Sequence, residues 1–179
     1  PFRSHPAWLA WNRGKQSIVL DLKTSEGQAY AQGLAERADV LIESFRPGVT
    51  SRLGIDYETL SRLNPRLGYC SITGFGQKGH LKQLKGYEGV IAAKSGRMLR
   101  LQGQPNREGP VYSAVQTGSW SASQAAVRGI LGALSVRERL GQGQWVQTSI
   151  LQGMIPHEGG LSDRQLARWD PKRFAPDPI

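Results

Sequence analysis

Residues 39–48 read Asp39-Val40-Leu41-Ile42-Glu43-Ser44-Phe45-Arg46-Pro47-Gly48. The apolar run Val40-Leu41-Ile42 is short and rich in β-branched side chains, which is typical of a buried strand. The following Phe45-Arg46-Pro47-Gly48 ends this strand, because proline and glycine interrupt regular backbone structure. A short helix through Arg52 and Leu53 is predicted next. A buried strand followed at once by a turn and a helix is the repeating unit of α/β folds.

Three other segments of the chain have the same strand-like character. Residues 17–22, 67–72 and 144–150 are apolar and β-branched, so they predict three further strands. Helices are predicted at residues 25–38, 57–63, 87–98 and 119–140. Strands that alternate with helices over such short spans favour right-handed βαβ units around a parallel sheet flanked by helices.

The predicted helices carry local signals. Ser25-Glu26-Gly27-Gln28 has the spacing of a capping box, and Tyr30, Leu34 and Ala38 share one face of the helix that follows. Asp56 is expected to cap the helix at residues 57–63. The apolar side of the long helix is expected to hold Ala126, Ile130, Leu131 and Leu134.

The composition limits the class of protein. The chain has 179 residues, 39% of them hydrophobic and 21% charged, which suits one soluble globular domain. The longest apolar stretches are too short to span a bilayer. The lone Cys70 excludes an internal disulfide framework and fits a reducing, cytoplasmic setting. Cys70 and the three histidines are too scattered for a zinc site, so no metal is expected. The net charge of +9 calls for an anionic partner or a solvated basic surface.

Basic residues follow the predicted strands at the edge where α/β proteins bind ligands, beyond the carboxyl ends of the strands. Lys23 ends the first predicted strand, Arg46 and Arg52 follow the second, and Lys82 and Lys85 lie in the glycine-rich loop after the third. Together these cations predict a phosphate-binding rim. Taken one by one they are ordinary solvated surface charges, and both interpretations stay open at this point.

Several familiar motifs are absent or misplaced. No G-x-G-x-x-G or G-x-x-x-x-G-K-[ST] sequence follows a predicted strand, so the dinucleotide and P-loop signatures are missing. Gly141-Gln142-Gly143 follows a helix and is interpreted as a helix C-cap. Ser119 does not lie in a nucleophile elbow, which needs G-x-S-x-G. The aromatic residues form no stacking platform for single-stranded nucleic acid.

Four blocks of the chain stand out together: residues 12–23 (NRGKQSIVLDLK), 43–48 (ESFRPG), 64–76 (NPRLGYCSITGFG) and 137–144 (RERLGQGQ). They resemble blocks of the family III CoA-transferases, which include formyl-CoA and carnitine CoA-transferases and the α-methylacyl-CoA racemases. The blocks keep the family's order and spacing over roughly residues 12–155. Four blocks in register are far more specific than a single glycine motif.

The resemblance implies an α/β, Rossmann-like large domain at residues 1–155, and an interlocked dimer of ring-like chains in the complete protein. Complete members are considerably longer, so residues 156–179 are expected to be a polar, proline-rich tail or the start of a linker to a small domain. CoA or acyl-CoA is the implied anionic substrate, with a small carboxylic acid as the second substrate and no permanently bound cofactor. The implied protein partner is a second copy, or a second CoA-transferase domain of a fused chain, and neither nucleic acid nor membrane is expected.

The positions at which the family contacts CoA can be carried over to this sequence. They fall at Leu20, Lys23, Ser44, Phe45, Arg52 and Lys85. Ser44 stands where the family usually has Asn. Lys23, Arg52 and Lys85 are also among the cations that the predicted topology brings to the rim. Lys and Arg suit the 3′-phosphate and the diphosphate of CoA as charge-assisted donors.

The nucleophile that the family uses is missing. The transferases form an acyl anhydride on an Asp carboxylate near the start of the long helix, and alignment back from Gly129-Ile130-Leu131 places Ser119 at that position. No Asp occurs from residue 89 to residue 162. A hydroxyl cannot form the mixed anhydride or the enzyme–CoA thioester that follows it. Tyr87-Glu88 matches the Tyr-Glu pair that lines the active site of the transferases, whereas the racemases have an acid/base His where this chain has Tyr87.

Three functions stay open. The first is a CoA-transferase domain that binds acyl-CoA without turnover, such as the structural half of a two-domain fusion. The second is an active transferase in which Glu88 serves as base or substitute carboxylate, although Glu88 is equally well explained as a charge at a helix N-terminus. A racemase-like isomerase is less favoured, because it would lack both its His and its Asp. The third is a basic nucleic-acid-binding domain, which would bind with a steep salt dependence.

Overall fold

The computed structural model of this chain describes residues 6–99 and 110–157. At its centre three strands form a parallel sheet: β1 (Val40–Glu43), β2 (Gly68–Thr73) and β3 (Trp145–Ser149). The order in the sheet is β1-β2-β3, so the longest strand lies in the middle. The predicted α/β class, with a parallel sheet flanked by helices, is confirmed. Apart from Pro156 and His157, the predicted tail at residues 156–179 lies outside the described residues.

The described helices surround this sheet. They are α1 (Pro6–Asn12), α2 (Ser25–Glu36), α3 (Val49–Arg52), α4 (Tyr57–Leu63), α5 (Glu88–Ser95), α6 (Thr117–Leu140) and α7 (Ile150–Met154). Short 3₁₀ turns follow α5 at Arg97–Leu99 and α7 at Ile155–His157. The helices α3 and α4 connect β1 to β2, and α5 and α6 connect β2 to β3, because parallel strands need crossover connections. Within residues 6–99 and 110–157, no helix is both long and apolar enough to cross a membrane.

One face of the sheet packs against α2 and α4 and forms the larger hydrophobic core. Leu41, Tyr69 and Trp145 stand side by side in the strand register. Tyr69 is 1% exposed, and Trp145 stacks on Tyr57 of α4 with ring centroids 5.4 Å apart. The Tyr69 hydroxyl donates to the carbonyl oxygen of Ile55 over 3.0 Å. That hydrogen bond satisfies a polar atom that would otherwise be costly to bury.

The opposite face of the sheet is covered by α6, which contacts it through small residues. Ala122, Ala126 and Ala133 are buried. Gly129 lies so close to β3 that a Cβ added there would come within 2.6 Å of a Val146 methyl carbon. The prediction that Ala126 faces the core is confirmed. The prediction for Leu131 is wrong, since that side chain is 60% exposed. The physical reason is that the helix approaches the sheet too closely for large side chains to lie between them.

The predicted strand at residues 17–22 is wrong. These residues have no regular secondary structure and pair with no strand of the described chain. Ile18 is 55% exposed and Val19 is 87% exposed. An apolar, β-branched run forms a strand only when a neighbouring strand accepts its backbone hydrogen bonds. The described sheet therefore has three strands and not four.

The predicted apolar face of α2 is wrong for Tyr30 and Leu34, whereas Ala38, which lies just after the helix, packs against the core. Tyr30 is 56% exposed and Leu34 is 43% exposed, whereas Gly27 is buried. The N-cap is Thr24, one residue before the predicted capping box, and its hydroxyl accepts from the Gly27 N–H over 3.1 Å. Gly27 also contacts the carbonyl of Asp21 so closely that a Cβ there would clash. The helix is thus positioned by close backbone contact and not by its large apolar side chains.

Candidate active site

The carboxyl ends of the three strands open onto a cleft of about 530 Å³. β1 contributes the turn after Glu43, β2 contributes the loop after Thr73, and β3 leads directly into α7. The residues that line the cleft are Ser44, Phe45, Arg46, Pro47, Ile72, Gly74, Lys82, Leu84, Lys85, Gly86, Tyr87, Ser119, Ser123 and Ile150. The carboxyl edge of the sheet, where the sequence predicts ligand binding, therefore has a concave surface.

Five of the site residues predicted from the sequence meet in this cleft: Ser44, Phe45, Lys85, Tyr87 and Ser119. They arrive from three separate parts of the chain, namely the turn after β1, the loop before α5 and the first turn of α6. The parallel sheet explains their meeting, because its strands end at one edge and release their loops on the same side.

Three other predicted CoA-contacting residues do not line the cleft: Leu20, Lys23 and Arg52. Leu20 is half-buried and Lys23 is exposed in the segment before α2, where the Lys23 N–H donates to Asp21 Oδ1 over 3.0 Å. Arg52 is exposed in the last turn of α3. The topological argument for Lys23 depended on a strand at residues 17–22, and the described chain forms no strand there.

All the charged side chains that line the cleft are basic. Arg46, Lys82 and Lys85 line it, and no carboxylate of the described chain does. The three cationic residues are exposed, and none of them forms an ion pair with another described residue. Their charges are therefore open to an anionic group that enters the cleft.

Two glycines close the loop that carries the lysines. Gly74 and Gly86 contact each other through their backbones, and a Cβ added to Gly86 would come within 2.8 Å of the Gly74 Cα. Gln83 Nε2 also donates to the Pro47 carbonyl over 3.1 Å, which ties the loop to the turn after β1. Because only glycine allows such a close approach of two backbones, this pair holds Lys82 and Lys85 at the rim.

Glu88, the first residue of α5, is bonded to the start of α6. Its Oε1 accepts from the Gly118 N–H over 2.8 Å. Its Oε2 accepts from the Ser119 N–H over 3.0 Å and from the Ser119 hydroxyl over 2.6 Å. The N-cap of α6, Gln116, makes no side-chain cap hydrogen bond. Glu88 therefore satisfies N–H groups that a capping side chain would otherwise satisfy, and its charge suits the positive end of the helix.

Close packing of α7 on α6 fixes the position of this helix start. Gly153 of α7 contacts the carbonyl oxygen of Gly118 so closely that any side chain at position 153 would clash. Gly118 in turn faces Met154, and a Cβ at position 118 would come within 2.6 Å of the Met154 Cε. Two helices that meet through glycine leave little freedom at Ser119, the next residue of α6.

Sequence reasoning missed Glu43, a buried carboxylate at the end of β1. Glu43 is 8% exposed, and its Oε2 accepts from the Phe45 N–H over 2.7 Å. It lines a second, smaller cavity of about 60 Å³ next to Tyr69 and Asp56. Burial, and after it the Glu43 charge, raises the pKa of both Tyr69 and the Cys70 thiol. A charged residue that ends an apolar strand is the signal that points to such a buried carboxylate.

The described residues offer no metal centre. No group of three or more His, Cys, Asp or Glu side chains in residues 6–99 and 110–157 is placed to hold a metal ion. The cleft itself presents cations and hydroxyls. One of these hydroxyls, on Ser119, donates to the Glu88 carboxylate, which does not line the cleft.

The fold and the cleft define an α/β protein with a basic cleft at the carboxyl edge of a parallel sheet. Comparison with known proteins narrows this class. Residues 2–164 match the family described as CoA-transferase family III. The chain belongs to this family, and the resemblance predicted from its four sequence blocks is confirmed.

Curated and solved relatives agree with this assignment. The chain is 43% identical over 145 residues to the succinate–glutarate CoA-transferase of Agrobacterium fabrum, an alignment that covers 79% of this chain and 35% of that protein. It is 37% identical over 158 residues to the CoA-transferase/lyase DddD of a Marinomonas species, covering 87% of this chain and 19% of that protein. The crystal structure of Rv3272 from M. tuberculosis superposes with a TM-score of 0.79 at 30% identity, covering 87% of this chain and 43% of that one. The chain thus spans less than half the length of these relatives.

Proposed function

We propose that this chain is an acyl-CoA-binding domain of a CoA-transferase family III protein, and that it does not itself transfer CoA to a carboxylic acid. The observation that carries the proposal is the hydroxyl of Ser119, which stands in the cleft where the resemblance implies a nucleophilic carboxylate. The names of the relatives support the substrate class, a CoA thioester with a small carboxylic acid such as succinate or glutarate.

The charges of the cleft support CoA as its ligand. CoA carries a 3′-phosphate and a diphosphate, and Arg46, Lys82 and Lys85 are exposed cations without ion-pair partners in the described chain. Hydrogen bonds between cationic side chains and phosphate oxygens are stronger than neutral ones. Among the residues implied by the resemblance, we propose Lys85, Phe45 and Ser44 as CoA contacts in this cleft.

The geometry argues against Glu88 as a substitute nucleophile. Its two oxygens already accept three hydrogen bonds from the start of α6. Glu88 does not line the cleft, whereas Ser119 does. A carboxylate that caps a helix and lies behind a serine is poorly placed to attack a thioester in the cleft. Tyr87 lines the cleft beside Ser119 and is proposed to contact the acyl end of the substrate.

We also propose that a second CoA-transferase domain, in a partner chain or in the same chain, accompanies this one. A similar stretch makes up 35% of the Agrobacterium fabrum enzyme but 19% of DddD, so DddD is about twice as long and has room for two such domains. In this arrangement residues 1–155 are one large-domain portion, and residues 156–179 begin the connection to the next part. An interlocked dimer is the corresponding arrangement for separate chains.

Calorimetric titration with CoA tests the binding proposal. Lys85→Ala should weaken CoA binding about tenfold, because a charge-assisted hydrogen bond contributes roughly 1.5–3 kcal/mol and 1.4 kcal/mol is a factor of ten. Lys94→Ala is the matched control, since Lys94 is an exposed lysine on α5 that does not line the cleft. Equal affinity of both variants for CoA, or no binding by the native chain, would refute the proposed site.

A further inference from the structure

The hydroxyl of Ser119 has the surroundings of an activated nucleophile. Ser119 lines the cleft, and its Oγ donates to Glu88 Oε2 over 2.6 Å. A nucleophilic hydroxyl is activated by a base within hydrogen-bond reach, about 2.6–3.2 Å. The pair therefore consists of a hydroxyl that faces the substrate cleft and a carboxylate on the side away from it.

The carboxylate of this pair is held in place by the protein backbone. The Gly118 N–H binds Oε1 and the Ser119 N–H binds Oε2, so both oxygens are anchored to the first turn of α6. Orientation of the base by a third group is the remaining element of an activated nucleophile. Here that element is the helix start, and Gly153 of α7 fixes the helix start in turn.

The neighbouring serine of the same cleft lacks this arrangement. Ser123 lies one turn further along α6 and also lines the cleft. Its hydroxyl donates to the Ser119 backbone carbonyl over 2.8 Å, which is the ordinary i−4 bond of a helical serine. The bond from Ser119 to a carboxylate is therefore a property of that position and not of serines in this helix.

We propose that Ser119 and Glu88 form a nucleophile–base pair that hydrolyses acyl-CoA thioesters through a serine ester. The choice of acyl-CoA as substrate rests on the proposed function of the cleft, whereas the pair itself rests on the distances above. This reaction differs from CoA transfer, because the acyl group goes to water and not CoA to a second acid.

The proposed reaction has two steps. First, Ser119 Oγ attacks the thioester carbonyl carbon while the Ser119 hydroxyl proton passes to Glu88. The C–S bond then breaks, and the CoA thiolate leaves and takes up this proton. An acyl-serine ester remains. Second, Glu88 accepts a proton from a water molecule, which attacks the ester carbonyl. The C–O bond to Ser119 breaks, the serine regains a proton, and the carboxylic acid is released. The sum is acyl-CoA and water converted to carboxylic acid and free CoA.

The ester intermediate explains why this pair would not transfer CoA. An acyl anhydride on a carboxylate is activated enough for the CoA thiolate to attack the enzyme's own carbonyl. A serine ester offers only the acyl carbonyl, so returning CoA regenerates the starting thioester. Attack by water is then the productive fate of the intermediate.

The test measures CoA release from acetyl-CoA and succinyl-CoA by chromatography, together with the intact mass of the chain during turnover. Ser119→Ala is expected to reduce CoA release to the rate of buffer and to abolish the acyl adduct. Glu88→Gln is expected to slow it by about 100-fold or more, the usual contribution of a general base. Ser61→Ala is the matched control, because the Ser61 hydroxyl donates to the Glu58 carbonyl on α4 and should leave the rate unchanged. If Ser119→Ala fails to fold, Ser119→Cys serves as the second variant. Because it keeps a nucleophile, it should still give an acyl adduct.

Each result is decisive for one of the two proposals. CoA release that is equal in the native chain and in Ser119→Ala, with CoA binding intact by calorimetry, would overturn the nucleophile and leave the binding domain standing. Absence of CoA binding would instead overturn the binding proposal, and p-nitrophenyl acetate, which needs no CoA site, then tests the pair. An acetyl group on Ser119 that is lost in Glu88→Gln supports the pair, and an unlabelled Ser119 refutes it.

Discussion

Two side chains 31 positions apart in sequence form the centre of the site. Ser119 reaches into the cleft, and Glu88 binds its hydroxyl from behind while also accepting two backbone N–H groups of α6. The resemblance implies a carboxylate at the position of Ser119, and under the proposed function the hydroxyl changes what the site can do, since an ester and an anhydride differ in reactivity. The positive charge of the cleft comes from Arg46, Lys82 and Lys85, so the proposed anion-binding side chains are other residues than the Ser119–Glu88 pair.

Asp56 offers a residue-level test of helix capping and its pH dependence. Burial alone would raise the pKa of this carboxyl, but several hydrogen bonds, first those from the Thr59 N–H and hydroxyl, together hold the pKa below the ordinary value of 3.8. A lowered folded-state pKa adds stability above the ordinary value, and that stability is lost as the pH falls through the folded-state pKa. Asp56→Ala should lower the free energy of unfolding by about 1 kcal/mol at pH 7.

Urea unfolding at pH 7 and below pH 3.8 measures this effect. The difference between native chain and Asp56→Ala should shrink at the lower pH. Asp56→Asn is the control, because it keeps an acceptor for the Thr59 N–H but has no charge to lose. A deficit of the same size at both pH values would show that the charge of Asp56 plays no part.

Single residues were predicted well where their partners are local in sequence. The cap of α4 by Asp56 is confirmed, since its partner is three residues away. Glu88 was predicted as a charge at its own helix N-terminus or as a catalytic group. Its bonds to α6 could not be foreseen, because nothing in a sequence pattern marks a contact across 30 residues. Glu43 was missed although its hydrogen-bond partner Phe45 is only two residues away, because its burial beside Tyr69 and Asp56 arises only in the assembled fold.

At the level of elements, contacts between glycines of α6 and α7 fix the position of Ser119. The effect of a glycine-to-alanine substitution on the free energy of unfolding should therefore depend on the space around that glycine. Gly153→Ala should lower the free energy of unfolding by about 1–3 kcal/mol, because its methyl group would clash with the Gly118 carbonyl. Gly132→Ala on α6 has open space around it and should raise that free energy by up to about 1 kcal/mol, since alanine favours a helix. Thermal or urea unfolding measures both variants. A change in the free energy of unfolding of the same sign in both would contradict the described packing.

The strands and helices of the sheet were predicted from the sequence with few exceptions, and the exceptions share a physical cause. Periodicity identifies large apolar side chains, but α2 and α6 pack through Gly27, Ala126 and Gly129. The run at residues 17–22 has the composition of a strand and no neighbour in the described chain. Pairing and close backbone contact are properties of the assembled fold, which a local pattern does not contain.

At the level of the whole molecule, both the net charge of +9 and the basic residues of the cleft favour an anionic ligand. The basic residues Arg46, Lys82 and Lys85 converge on a concave surface, which suits a small polyanion such as CoA. Large apolar side chains remain exposed elsewhere, among them Ile42 on β1 and Val127 and Leu131 on α6. A second domain of the proposed kind would have apolar surface available on these elements.

The central claim is that this chain binds acyl-CoA but does not transfer CoA, and the most direct test is a transfer assay. Succinyl-CoA and glutarate are incubated with the native chain, and glutaryl-CoA is measured by mass spectrometry beside free CoA and succinate. The expected result is no glutaryl-CoA above the level of buffer, while CoA binds the chain in calorimetry. Glutaryl-CoA that is formed by the native chain, and lost in Ser119→Ala or Glu88→Gln, would contradict the claim and make this domain a transferase in its own right.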